Sequence, residues 1–176
     1  MKHDGHVETE MKFRVPDLEA AARDLRARGF REAVPAAEER SVLWDRDGAL
    51  RAAGCALRLR TYGGRAFLTW KGPREEDPLL KIRPEVETGL EDPRAMAGIL
   101  AALGYAPWLE MTKRRALLRR GALEACLDET PFGTYLELEG EAAEIRAEMA
   151  ALGLGEDQVE TRSYPALFLE HGGGRP

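Results

Sequence analysis

The sequence predicts an α+β fold, a set of about eight antiparallel strands flanked by helices. Three observations point there. Val7-Glu8-Thr9-Glu10-Met11-Lys12-Phe13-Arg14-Val15 alternates strictly between apolar or small and charged residues, the period of a strand whose two faces see different environments. Further alternating segments follow, broken by Gly, Pro and Asp turns. Between some of them lie stretches with helical spacing, opened by Asp and closed by Gly. The chain has 176 residues, enough for one domain with a proper core, here assigned to residues 7–170 with tails at 1–6 and 171–176.

After the first strand, Asp17 opens a helix through Arg28 with Leu18, Ala21, Ala22 and Leu25 on one face, and Gly29 ends it. Residues 37–45 form a second strand and Arg46-Asp47-Gly48 a turn, after which a short segment leads to Gly54. Residues 56–62 and 65–71 pair as a hairpin across Gly63-Gly64. A strand at 79–87 precedes a helix that begins at Asp92-Pro93, as N-cap and first-turn proline. Its buried face is expected to carry Met96, Ile99, Leu100 and Leu103, and Gly104 caps it. Strands at 106–119, 122–130 and 134–139 follow, then a helix at 141–152 and a last short helix from Ser163. Three times a Glu-x-Glu strand runs into a helix (Glu8/Glu10, Glu85/Glu87, Glu137/Glu139), a weak internal repeat.

Composition excludes several classes. The net charge of −5 argues against a wholesale nucleic-acid or membrane binder. No apolar run is long enough to span a bilayer, and residues 1–6 lack the apolar segment of a signal peptide. Cys55 and Cys126 lack metal-type spacing and read as reduced thiols of a cytoplasmic protein. His3, His6 and His171 all lie in the tails, which argues against a histidine zinc site or a catalytic triad. The glycine-rich 172–176 end is expected to be disordered.

Sorted by parity, the polar faces carry like charges in pairs. Cations stand at Lys12, Arg58 and Arg60, Lys71, Lys81 and Arg83, and Lys113 and Arg115. Carboxylates stand at Glu8 and Glu10, Glu85 and Glu87, Asp128, and Glu137 and Glu139. An open sheet with this face in water explains the alternation but not the choice of residues. Two like charges ~7 Å apart repel by about 0.6 kcal/mol in water and about 2 kcal/mol at an effective dielectric near 20. Repeating that on several strands makes sense if ligands of opposite sign lie between them. Polyphosphate oxygens suit the Arg and Lys set, and hard divalent cations suit the carboxylates. A sheet closed into a barrel would turn this charged parity inward and remove the sheet edges.

Glu8-x-Glu10-x-Lys12, Leu57-Arg58-Leu59-Arg60, Thr69-Trp70-Lys71-Gly72-Pro73, Arg83-x-Glu85-x-Glu87, Lys113-x-Arg115, Leu127-Asp128 and Glu137-x-Glu139 together resemble the CYTH domain of the triphosphate tunnel metalloenzymes. The resemblance runs in order over about residues 7–170. It implies an eight-stranded antiparallel closed barrel with a charged interior, binding a small-molecule triphosphate with Mg²⁺ or Mn²⁺. The family includes class IV adenylate cyclases, thiamine triphosphatases, inorganic triphosphatases and some RNA triphosphatases. On this resemblance Glu8, Glu10, Glu137 and Glu139 hold metal, with Asp128 and Glu85/Glu87 completing the acidic side. Arg58, Arg60, Lys71, Arg83, Lys113 and Arg115 grip the triphosphate. Lys12, Lys71 and Arg115 are the catalytic candidates, and Lys12 either clamps phosphate or positions and deprotonates a water.

The ending Thr161-Arg162-Ser163-Tyr164-Pro165-Ala166-Leu167 is similar to the Ser-Tyr segment of the cyclase-like bacterial subgroup. Arg162 stands where Lys is expected, Pro165 is unusual there, and Trp44-Asp45 replaces Tyr-Phe-Asp. Trp44, Trp70 and Trp108 are only nominal ring-stacking candidates, since core or helix packing explains each better. The expected reaction is hydrolysis of tripolyphosphate, thiamine triphosphate or a nucleotide. The alternatives are cyclisation of ATP to cyclic AMP and pyrophosphate, or a non-catalytic polyphosphate- or nucleotide-binding module. Either a monomer or a homodimer is compatible with the sequence.

Overall fold

The computed structural model describes residues 6–172. Eight strands close into an antiparallel barrel, β1 (His6–Arg14), β2 (Arg31–Asp45), β3 (Ala56–Tyr62), β4 (Arg65–Lys71), β5 (Lys81–Leu90), β6 (Ala106–Arg120), β7 (Leu123–Thr130) and β8 (Gly133–Glu139). Around the barrel the order is β1-β5-β4-β3-β2-β6-β7-β8, with β8 pairing back to β1. Closure answers the question the alternation left open, because every strand now has an inside and an outside.

Four of the helices start on side-chain caps or small turns visible in the sequence. Asp17 caps α1 (Leu18–Ala27), its Oδ1 accepting from the Ala20 amide at 2.9 Å. Asp92 caps α3 (Pro93–Ala102) through the Arg94 and Ala95 amides. Ser163 caps α5 (Tyr164–Glu170), and α4 (Ala142–Ala151) follows the turn at Gly140. The β3–β4 hairpin turns on Gly63 and Gly64 at φ +57° and +74°, the left-handed pair such a two-residue loop requires.

The apolar core lies outside the barrel wall. Met11, Phe13, Leu118, Leu123, Leu136 and Leu138 point outward and pack beneath Leu25 of α1 and Ile145 of α4. Trp44 and Leu59 pack beneath Leu100 of α3. This is the reverse of an ordinary small barrel, whose inside is filled by apolar side chains.

Several boundaries differ from the sequence reading. β2 begins at Arg31 rather than residue 37, since register shifts at Glu32/Val34 and Val34/Ala37, with Pro35 between, break the alternation that would reveal it. β5 begins at Lys81 rather than 79, because Asp77 turns the backbone by accepting the Leu79 and Leu80 amides. The four-residue α2 (Ala49–Ala52) and a 3₁₀ turn at Glu156–Gln158 are too short to show a period. On α3, Ile99 and Leu103 are 52% and 60% exposed, because the short helix meets the barrel along Met96, Ala97 and Leu100. His171, placed in the tail, stacks on Phe132 at 4.9 Å. The rest of the two expected tails, residues 1–5 and 173–176, lies outside the described residues.

Candidate active site

The inward parity encloses a cavity of about 1120 Å³. Of the residues singled out for chemistry, Glu8, Glu10, Arg58, Arg60, Lys71, Lys81, Arg83, Glu85, Glu87, Lys113, Arg115, Glu137 and Glu139 line it. Lys12 and Asp128 do not; both are buried, at 1% and 0% exposure, behind Tyr164.

Strand order collects the charges. The three Glu-x-Glu strands β5, β1 and β8 are neighbours, so their carboxylates share one wall. Glu10 stands opposite Glu139, and Glu8 opposite Arg83. Glu8 accepts from Lys71 at 2.5 Å and Arg83 at 3.1 Å, and Glu10 from Lys81 at 2.9 Å. Lys71 also reaches Glu85 at 2.6 Å. Burial, the two other carboxylates Glu8 and Glu10, and Glu124 push Glu139 up to about 8, with Lys71 opposing. Burial and Glu10 also raise Glu8. Glu10 itself is held well below the usual range, since Lys81, Lys71, Lys12 and Arg83 outweigh its burial.

The opposite wall is cationic. Arg115 donates to Asp128 through Nε (2.6 Å) and Nη2 (2.5 Å) and also bonds Glu137. Lys113 donates to Asp128 at 3.0 Å. Asp128 stays ionised below the ordinary carboxylate range because Arg115 and Lys113 overcome its burial. Arg58 is different. Its closest carboxylate contact is Glu87 at 4.0 Å, and its buried Nε has no hydrogen-bond partner among the described residues. Burial and the neighbouring Arg60 both disfavour its charge. Arg60 reaches Glu87 at 3.0 Å, yet its own Nε is likewise unpaired. Two half-buried guanidinium groups side by side, each with an unused Nε donor, face the cavity, an arrangement that an anion would complete.

At one end the cavity is shut by α5. Tyr164 donates to Asp128 at 2.6 Å, and its ring lies 4.1 Å and 4.0 Å from the Lys12 and Lys113 ammonium groups. Lys12 donates to the Arg162 carbonyl at 2.6 Å. Burial and nearby Lys81 push its ammonium down to about 7, against Glu137 and Glu10. Arg162 is turned to Glu160 and Glu170, so its guanidinium is already occupied where a phosphate-binding lysine was expected.

Some functional positions escaped the sequence reading. Glu39 faces inward at 2% exposure, 3.6–3.7 Å from Arg60, Lys113 and Arg115. Its parity was hidden because Glu38 and Arg40 flank it with further charges. Asp45 is a turn holder: its carboxylate accepts the Arg46, Leu50 and Arg51 amides and Arg51 Nε. Of the three tryptophans only Trp108 lines the cavity; Trp44 belongs to the core under α3.

The donor chemistry of Glu8, Glu10, Glu137 and Glu139 is that of a hard divalent cation site: carboxylate oxygens whose mutual repulsion a cation would relieve. Glu8, Glu10 and Glu137 stand here in ion pairs, Glu139 in none among the described residues, and no three His, Cys, Asp or Glu side chains converge on a metal position among the described residues. The fit is therefore one of donor type and charge, with Lys71, Lys81 and Arg115 occupying Glu8, Glu10 and Glu137.

Residues 6–164 match the CYTH domain family. A Methanocaldococcus jannaschii protein named as a candidate adenylate cyclase is 28% identical over 172 residues, covering 92% of this chain and 98% of the relative. Adenylate cyclase CyaB of Aeromonas hydrophila is 28% identical over 177 residues, covering 93% and 89%. A Hippeastrum structure, described as a candidate adenylyl cyclase with a dominant triphosphatase activity, superposes with a TM-score of 0.68 at 20% identity, covering 96% of this chain and 98% of its own. No helix among the described residues is long and apolar enough to cross a membrane.

Proposed function

The chain belongs to the CYTH domain family, and from that premise we propose that it is a divalent-metal-dependent enzyme hydrolysing a linear triphosphate inside the barrel. The observation that carries this reading is the Arg58–Arg60 pair, half-buried, adjacent and with buried, unused Nε donors at the cavity. A chain of phosphate oxygens satisfies those donors and neutralises the repulsion. Arg83 and Lys71 extend the cationic surface, each now balanced by Glu8, which a bound metal would draw away, and Lys113 and Arg115 extend it beside Asp128.

Mg²⁺ or Mn²⁺, held by Glu8, Glu10, Glu137 and Glu139, would supply charge neutralisation on phosphate oxygens when bound. The chain's own contribution is position and field. Arginines fix the phosphate chain, and the enclosing barrel limits water, so the fixed charges act in a medium of low dielectric. Lys12, with its ammonium pushed down to about 7, is a proton acceptor of suitable strength at neutral pH. In this structure it is turned to the Arg162 carbonyl behind Tyr164, so using it at the cavity requires that contact to release.

A second reading, cyclisation of ATP to cyclic AMP and pyrophosphate, is favoured by the names of the two curated relatives. One assay separates the two. The purified protein is incubated with Mg²⁺ or Mn²⁺ and tripolyphosphate, thiamine triphosphate or ATP, and orthophosphate, pyrophosphate and cyclic AMP are resolved. Orthophosphate without cyclic AMP supports hydrolysis. Cyclic AMP with pyrophosphate replaces it by the second reading, and binding without product refutes both.

A further inference from the structure

The loop between β4 and β5 carries a cation that the paired charges of the barrel leave out. Gly72 and Glu75 keep this loop zipped to β5, their amides donating to the Pro84 and Ile82 carbonyls, each at 2.8 Å. Pro73 and Arg74 therefore stand together against Arg83 alone, the two-to-one count of a bulge, and bulges re-aim side chains. Gly72 belongs to the same device, since a Cβ there would lie 3.1 Å from the Trp70 ring and 3.2 Å from the Pro84 ring. Arg74, an exposed residue overall, lines the cavity at its mouth. Every other cation lining the cavity, Arg65 excepted, has a carboxylate within 4.0 Å among the described residues. Arg65 lies over the Phe67 ring, its guanidinium carbon 5.0 Å from the centroid. Arg74 has a neutral partner instead, donating through Nη1 to the Thr161 backbone carbonyl at 3.1 Å. The next carbonyl along, that of Arg162, accepts from Lys12, so the segment ahead of α5 hangs between two cations.

Burial and Arg83 disfavour the charge of Arg74, with Glu10 and Glu8 opposing. A backbone carbonyl is a weak partner for such a guanidinium, and an anionic phosphate oxygen is a stronger one. In the barrel wall β4 separates β3 from β5. Neighbouring strands lie about 4.8 Å apart, so Arg58 on β3 and the Arg74–Arg83 pair at β5 start from backbones about 10 Å apart. Pyrophosphate seated on Arg58 and Arg60 ends short of Arg74, and a third phosphate closes the gap. Resting on the triphosphate reading above, we propose that Arg74 is a specificity-determining residue that reads chain length: it leaves the Thr161 carbonyl to grip the outermost phosphate of a linear triphosphate whose other end lies at Arg58 and Arg60. Arg162 has no such role, because its guanidinium is spent on Glu160 and Glu170 and it offers the cavity side only its carbonyl.

Affinities measured without turnover test this role. Binding of tripolyphosphate and of pyrophosphate is followed by titration calorimetry in the absence of divalent cations, for wild type, Arg74→Ala, Arg74→Gln and Arg65→Ala. The ratio of tripolyphosphate to pyrophosphate affinity is expected to fall about tenfold in both Arg74 variants, the worth of one charge-assisted contact. It is expected to stay within twofold in Arg65→Ala, which removes a cation from the same cavity. A wild-type ratio in Arg74→Ala overturns the proposal. So does an equal fall in Arg65→Ala, which would make the effect one of overall charge. Recovery in Arg74→Gln overturns it as well, because glutamine keeps a donor for the Thr161 carbonyl and brings no charge to a phosphate. Loss of every product in the turnover assay with the ratio shift intact would sink the hydrolysis reading and leave the role of Arg74 standing.

Discussion

Charge at individual positions sets what the barrel interior can do. Arg58 is half-buried with no carboxylate nearer than 4.0 Å, so its electrostatic cost in the free protein becomes a gain when an anion arrives. Arg58→Ala is expected to weaken tripolyphosphate binding by ten- to a hundredfold, the worth of a charge-assisted contact of about 1.5–3 kcal/mol. Calorimetry checks it, and wild-type affinity would remove Arg58 from the phosphate site. Glu10→Ala should abolish turnover through loss of metal, leaving Lys81 without its 2.9 Å partner. Orthophosphate release at the wild-type rate in the variant would show that metal is held elsewhere. Arg58, Arg60, Glu8 and Glu10 were legible in the sequence, because i, i+2 pairs of one sign are conspicuous on a strand. Glu39 was not, since its neighbours are charged too, and only its 2% exposure distinguishes it.

At the scale of elements, the segment before α5 decides how the cavity end is shut. Residues 159–162 lie against β1, Val159 bridging Phe13 and the Glu160 amide donating to the Lys12 carbonyl. Glu160, 5% exposed, collects Arg14 (2.6 Å) and Arg162 (2.6 Å), and hydrogen bonds from the Arg162 side chain hold its carboxyl down to about 2. Its pKa is depressed on folding, so its stabilising contribution is full above the unfolded value near 4.5 and is lost as pH falls towards 2. Between pH 5 and pH 3, wild type should lose more stability in urea unfolding than Glu160→Gln does. Equal losses would show that the pairing does not stabilise the fold. The link to β1 was not readable in advance: Arg14 lies 146 residues from Glu160, too far for any periodicity to connect them. The helices α1 and α3 were readable, because their Asp caps and glycine ends are local chemistry.

For the molecule as a whole, the apolar core outside and the charged cavity inside make the free protein a compromise. The lysines and glutamates of the interior neutralise one another, yet the Nε donors of Arg58 and Arg60 have no partner among the described residues, and Glu139 is raised to about 8 by burial and the neighbouring Glu8 and Glu10. A polyanion that binds only the folded barrel relieves the repulsion between Arg58 and Arg60 and stabilises the fold by mass action, about 2.7 kcal/mol at a hundredfold excess over Kd. Tripolyphosphate is expected to raise Tm by several degrees in a thermal melt, and an equal concentration of chloride is not. No shift at saturating tripolyphosphate would argue against an anion site within the barrel.

By itself the sequence determined which residues alternate, which carry like charges in pairs, and where helices start and stop, because these depend on neighbours in the chain. It therefore contained the eight strands and nearly all of the charged lining. Only the tertiary structure decided that β5, β1 and β8 lie side by side, so that three separate Glu-x-Glu pairs form one acidic wall. It also decided that Tyr164 covers Lys12 and Asp128, and that a bulge brings Trp108 to the cavity. The reason is closure. Strand order and register follow from how the whole sheet meets itself, a condition that no local stretch of residues can express.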